Sequence, residues 1–263
     1  MSKPDPLPAK RLRRTSAPAP AASAAPATPT TPSGKPQRHF AIIGAGMAGI
    51  ACARTLVQAG HRVTVFEKSH QAGGRTATID SPFGNFDAGA QYFTVRDPRF
   101  ARAIDTVPGI CKRWSANSVQ VLDAAGRVAA VGLPHREAHW VATPGMQSLV
   151  TTWAEPLAQA GQLVTHTRVT RIEPDAVNAP GWQLRTEGAG GEQHVYAGFD
   201  AVLLAQPSVP AQALISGSRL DSPLADAMSK VAIAPCWTLM LAYPQAVRPG
   251  LTTLGPQWNA ARS

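Results

Sequence analysis

The pattern that most constrains this chain is three glycines at fixed spacing, Gly44-Ala45-Gly46-Met47-Ala48-Gly49, set directly after the apolar run His39-Phe40-Ala41-Ile42-Ile43. A short unbroken apolar run reads as a strand buried on both faces, the habit of parallel sheets. Ile50–Ala59 reads as a helix with Ile50, Ala53, Leu56 and Val57 on one face, stopped by Gly60. Arg62–Phe66 reads as a second strand, and it ends at Glu67, twenty-three residues after Gly44. In such a unit each glycine has a task. Gly44 allows the tight turn, Gly46 lets backbone approach a pyrophosphate, and Gly49 lets helix and strand pack closely. The helix start offers free N–H groups and partial positive charge to the same phosphates. Glu67 can accept hydrogen bonds from ribose hydroxyls, and its charge repels a 2′-phosphate. Glycines in this context predict a dinucleotide site.

A second glycine turn follows, Ala72-Gly73-Gly74-Arg75-Thr76. It would bring Gly74 and a guanidinium, suited to bidentate phosphate contact, towards those phosphates.

Beyond this point the sequence resembles the flavin-dependent amine oxidase superfamily, and within it the renalase-like bacterial branch. The resemblance rests on GAGMAGIACARTL (Gly44–Leu56), VTVFEK (Val63–Lys68), AGGRTAT (Ala72–Thr78) and FDAGAQYFT (Phe86–Thr94). It continues in TPGMQSLVTTWAEPLA (Thr143–Ala158), Thr167-Arg168-Val169 and FDAVLLAQPSVPA (Phe199–Ala211). Their order along the chain, from about Phe40 onward, carries the likeness. It implies an α/β fold: a Rossmann-like FAD-binding domain with an inserted, β-rich substrate domain. The segments implied are 38–90 and 143–210 for the FAD domain, and 91–142 and 211–263 for the substrate domain. By resemblance, Gly44, Gly46 and Gly49 face the pyrophosphate, Glu67 holds the ribose, and Gly74 and Arg75 lie near the phosphates. Val169 contacts adenine through its backbone, Gln91 and Tyr92 lie towards flavin and substrate, and Pro207 ends a strand close to the cofactor.

The resemblance also implies the chemistry: FAD as cofactor, hydride transfer from a dihydronicotinamide or amine-type small molecule, and O2 as acceptor. The sequence departs from the branch at His70-Gln71, where Arg-Gly is usual, and at Ala88, where His is usual. It also lacks the family's later Gly-Asp-containing motif. On that ground the substrate domain is expected to be incomplete at Ser263, and the chain to bind FAD weakly or not at all. Rival readings are an NAD-dependent dehydrogenase, against which Gly73-Gly74-Arg75 counts, an inactive dinucleotide-binding remnant, and a nucleic-acid-binding protein resting on the tail alone.

Charge supports this division. Residues 1–37 hold six basic side chains and one acid, and so five of the nine net positive charges. Thr15–Gly34 has seven Ala, five Pro and no charge. Such a stretch cannot bury enough surface to offset the entropy of ordering, so a disordered tail is expected. The rest is only mildly basic, and no nucleic-acid partner is expected. No membrane span is expected either, because Pro235 and Pro244 interrupt the uncharged stretch Val231–Val247. Cys52, Cys111 and Cys236 form no paired motif, which fits a reducing, cytoplasmic setting. His135 and His139 lack further ligands at metal-site spacing.

The remaining pattern predicts a helix over Gln147–Ala160 and helical segments at Arg96–Ala103 and Gly109–Trp114. Strands are predicted at Leu163–Ile172, Trp182–Thr186, Gln193–Ala197, Ala201–Ala205 and Cys236–Tyr243.

Overall fold

A computed structural model describes residues 13–14, 36–114, 118–123, 125, 127–131, 138–220, 222–240 and 257–261. The chain divides into two compact units, Met1–Gly74 with Trp153–Pro235, and Arg75–Thr152 with Cys236–Ser263.

The first unit is built on the glycine-turn pattern. Strand β1 (His39–Ile43), helix α1 (Met47–Gln58) and strand β2 (Arg62–Phe66) form the predicted βαβ unit. Helix α1 starts three residues earlier than the apolar periodicity indicated, because Gly46 already serves as N-cap. Helix α2 (Ser148–Gln159) belongs to this unit from Trp153 onward, and Leu149, Val150, Trp153 and Leu157, the face its periodicity marked, are all buried. Strand β3 (Leu163–Val164) pairs with β2. After it come β4 (Thr167–Pro174), β5 (Trp182–Gly188), β6 (Gln193–Phe199) and β7 (Ala201–Leu204). Strands β3, β2, β1 and β7 lie in that order in a sheet whose three pairings are all parallel. The α/β class of the chain rests on this sheet.

Strands β4, β5 and β6 form an antiparallel meander. The single strand expected over Leu163–Ile172 is therefore two strands belonging to different sheets. The break falls at His166, whose φ of 52° is left-handed and which lies between β3 and β4. One core joins the two sheets: Ala41, Ile43 and Phe66 pack with Ile172, Leu184, Phe199 and Leu214. Phe66 meets Phe199 edge-on, with ring centroids 6.1 Å apart. Burial and the neighbouring Arg62 lower the pKa of His39, which fits its neutral contact with Thr64 Oγ1 at 3.0 Å. Helix α3 (Ser208–Gly217) buries Ala211, Leu214 and Ile215. The Ser218 hydroxyl beyond it accepts the Ile172 N–H at 2.9 Å.

Most of the basic tail lies outside the described residues. Within it Arg13–Arg14 form a short strand, paired in parallel with His194 and Val195 of β6, an element that composition did not predict.

The second unit holds a hairpin, Thr78–Ser81 with Gly84–Asp87, and a small antiparallel sheet ordered Phe93–Thr94, His139–Ala142, Cys111–Arg113. The helix Pro98–Asp105 is capped by Asp97, which accepts the Arg99 N–H at 2.7 Å. Ser118–Leu122 pairs with Val128–Val131 and with Gln257–Ala261.

Two further expectations do not hold. Gly109–Trp114 is not helical: Cys111–Arg113 is a strand paired with Trp140–Ala142, and this long-range ladder overrides the local pattern. Residues 236–240 of the expected strand Cys236–Tyr243 have no regular structure, and residues 241–243 lie outside the described ones. Trp237 is 95% exposed and Leu239 81%, so this apolar run is not a buried strand. His135 also lies outside the described residues. Among the described residues no helix is long and apolar enough to cross a membrane, and no cluster of three metal-ligating side chains occurs.

Candidate dinucleotide site

Backbone geometry at the β1–α1 turn requires glycine at specific points. Gly44 has φ +105°, a left-handed value that side chains rarely adopt, and its N–H donates to Phe66 O at 2.8 Å. A Cβ on Gly49 would sit 1.9 Å from the Gly44 carbonyl oxygen, so only glycine fits there. Gly46 differs. Its φ is −76°, and a Cβ there would meet nothing closer than Gly74 Cα at 3.8 Å. The fold therefore does not itself require glycine at position 46.

The second glycine turn crosses the first. Gly73 N–H donates to Ala45 O at 3.0 Å, and Gly46 and Gly73 form an isolated parallel bridge. Gly74, with φ +59°, approaches so closely that a Cβ on it would lie 3.0 Å from Gly46 Cα. Two chain segments thus meet backbone to backbone at the start of α1. That helix has no side-chain N-cap bond and no acid in its first turn. Its leading N–H groups and dipole favour an anion.

Glu67 lies at the end of β2 and is 7% exposed. Its Oε2 accepts Ala45 N–H at 2.8 Å and its Oε1 accepts Ser69 N–H at 2.9 Å. Each oxygen can still accept a second hydrogen bond. The Glu67 backbone is fixed as well: its N–H donates to Val164 O, and its carbonyl accepts Thr167 N–H, both at 2.8 Å.

The expected residues are placed as follows. Gly44, Gly46, Gly49, Glu67 and Gly74 come together in the first unit around the crossed turns. Val169 lies on β4, two residues past Thr167, half-buried against the core cluster and beside a break in register with β5. Arg75 and Gln91 belong to the second unit, and both side chains are exposed. The Arg75 carbonyl accepts Ala90 N–H at 2.9 Å. What sequence reasoning missed is that Glu67 also ties the glycine turn, through Ala45. The one signal for it was that a strand-end acid in a βαβ unit lies beside the turn.

The crossed turns fit a dinucleotide diphosphate. They combine a helix start without acid or side-chain cap, a glycine at 46 that packing does not demand, and a fixed carboxylate with free lone pairs. Comparison with known proteins places this segment. Residues 42–107 match the NAD(P)-binding Rossmann-like domain family. The chain is 54% identical over 41 residues to the L-amino acid oxidase Lm29 of Lachesis muta, which covers 16% of this chain and 8% of that protein. It is 42% identical over 58 residues to the 4,4'-diapophytoene desaturase (4,4'-diaponeurosporene-forming) of Staphylococcus haemolyticus, covering 22% of this chain and 12% of that protein. A solved structure of a putrescine oxidase triple mutant matches with a TM-score of 0.52 at 14% identity, over 66% of this chain and 59% of that one. The matches span less than two thirds of each of these proteins, and the structural likeness shows the fold, which is Rossmann-like α/β.

Proposed function

We propose that this chain is an FAD-dependent oxidoreductase of the amine and amino-acid oxidase type. The observation that carries the reading is the crossing of Gly46 with Gly73 and Gly74 in front of α1, beside the anchored Glu67 carboxylate. In this reading Gly44 and Gly49 shape the turn, and the leading N–H groups of α1 bind the diphosphate over Gly46. Glu67 accepts the ribose hydroxyls, and Val169 offers its backbone to adenine. Gly74 and Arg75 add backbone and charge at the phosphates, and Gln91 faces the substrate side. The first unit serves as the cofactor domain and the second as the substrate domain. Bound flavin would supply a hydride acceptor, which no side chain provides.

The finer reading is a renalase-like enzyme, cytoplasmic, that oxidises a dihydronicotinamide or amine-type substrate with O2 as acceptor. The resemblance of Phe86–Thr94 and Thr143–Ala158 supports it. The reading is tested by titrating the purified chain separately with FAD and with NAD+ in a calorimeter. FAD binding that Gly46→Ala weakens is the expected result. Binding of NAD+ in preference to FAD would favour a nicotinamide-dependent dehydrogenase and overturn the proposal.

A further inference from the structure

His70 and His166 lie on the two backbone segments that flank Glu67, one after β2 and the other between β3 and β4. Their ring centroids are 6.3 Å apart and the rings are inclined at 40°. Both side chains are exposed, and among the described residues no hydrogen bond engages either ring. The backbone beneath them is fixed. Ser69 N–H donates to Glu67 Oε1, and Ser69 O accepts the His166 N–H, each at 2.9 Å. The next residue, Thr167, donates its N–H to Glu67 O at 2.8 Å. His166 is held at φ 52°, a left-handed value that glycine takes without steric cost. The turn alone therefore does not account for an imidazole at that position.

We propose that His70 and His166 together bind a divalent transition metal, Zn2+ or Cu2+ in class, with water completing the coordination. Neutral imidazole is a ligand that these ions favour. Bonds of about 2.0–2.1 Å to one nitrogen of each ring, at a tetrahedral angle, bring the ring centroids to about 5 Å. The observed separation is about 1 Å longer, a gap that exposed side chains close by rotation about their own χ angles. The Glu67 carboxylate, bound to the Ser69 N–H between them, adds a negative charge close by. Lys68 and Arg168 are the nearest cations in sequence, and both are exposed, so water and salt screen them. Two imidazoles hold such an ion more weakly than the four ligands of a closed site. Mg2+ prefers oxygen ligands and is not expected there. Bound metal would link the segments that Glu67 already joins through Ser69 and Thr167. This site lies wholly in the first unit and does not depend on the FAD reading.

The test is a calorimetric titration of the full chain with ZnCl2, CuCl2 and MgCl2, read beside thermal melts. Zn2+ and Cu2+ should each bind saturably and raise the melting temperature, Cu2+ more tightly than Zn2+. Mg2+ should do neither. His70→Gln and His166→Asn, made separately, should each weaken Zn2+ by at least about tenfold. Asparagine tolerates the left-handed backbone at 166, so that variant removes the ligand and keeps the turn. Either variant alone decides, so a loss of fold in one, seen as a low melting temperature without metal, leaves the other to read. Failure of both Zn2+ and Cu2+ to bind would overturn the proposal. So would affinity that a folded variant retains in full, which would place the ion on other histidines or on a cysteine.

Discussion

The Glu67 carboxylate holds the Ala45 N–H at 2.8 Å, closing the glycine turn across 22 residues of chain. The same group therefore shapes the turn and, in the proposed function, would also offer acceptors to a ribose. Substitution should therefore change stability and binding together.

Glu67→Ala removes the acceptor of both Ala45 and Ser69 N–H groups. The loss of hydrogen bonds to a charged group should destabilise the fold by about 1.5–3 kcal/mol. FAD affinity should fall together with stability. Thermal melting and a flavin titration on the same preparation check this, and a loss of affinity without any loss of stability would contradict the structural role.

The glycines of the turn should respond differently to a single methyl group. Gly49→Ala places Cβ 1.9 Å from the Gly44 carbonyl oxygen, and backbone there cannot yield cheaply. Overpacking of this kind costs about 1–3 kcal/mol or more, so Gly49→Ala should melt well below the parent. Gly46→Ala meets nothing within 3.8 Å and has an ordinary φ. It should melt within a few degrees of the parent yet bind FAD at least about tenfold more weakly, because the methyl stands where phosphates approach.

Asp175 gives a pH signature. Its carboxylate, 2% exposed, accepts the Val177, Asn178 and Gly198 N–H groups and the Asn178 side-chain amide. The Asn178 side chain and these N–H groups pull its pKa down from 3.8 to about 2. A depressed carboxylate stabilises the fold above its unfolded pKa, and that contribution is lost as pH falls from about 4 towards 2. Asp175→Ala should be less stable than the parent at neutral pH. The gap between the two in denaturant melts should narrow over that acid window, and a constant gap would refute the assignment.

Trp237 tests the corrected segment. At 95% exposure its removal should change stability by less than about 0.5 kcal/mol, whereas a buried Trp would cost about 3–5 kcal/mol. Chemical denaturation of Trp237→Ser distinguishes the two.

What the sequence disclosed was mostly local. The β1–α1–β2 unit follows from an apolar run, turn chemistry and helical spacing, all within His39 to Glu67. The positions of Gly44 and Gly49 could be argued from turn geometry alone. Cys111–Arg113 could not, because its strand state depends on pairing with Trp140–Ala142, some thirty residues away. Residues 236–240 misled for the opposite reason: β-prone composition has no effect without a ladder to join. Ala45 and Ser69 as partners of Glu67 were equally hidden, since a side chain's hydrogen bonds are not written in periodicity. The hydrogen bonds by which Asp87 accepts both the Thr78 hydroxyl and the Met146 N–H were hidden in the same way.

The contact of Gly49 with the Gly44 carbonyl has one more consequence. A helix seated this tightly cannot slide along its axis or tilt at its first turn. The donors that would receive an anion are oriented before any ligand arrives. Their ordering entropy belongs to folding, so association would lose rotational freedom mainly on the ligand's side. Loosening that seat should slow nothing in the encounter and should instead shorten the lifetime of the complex.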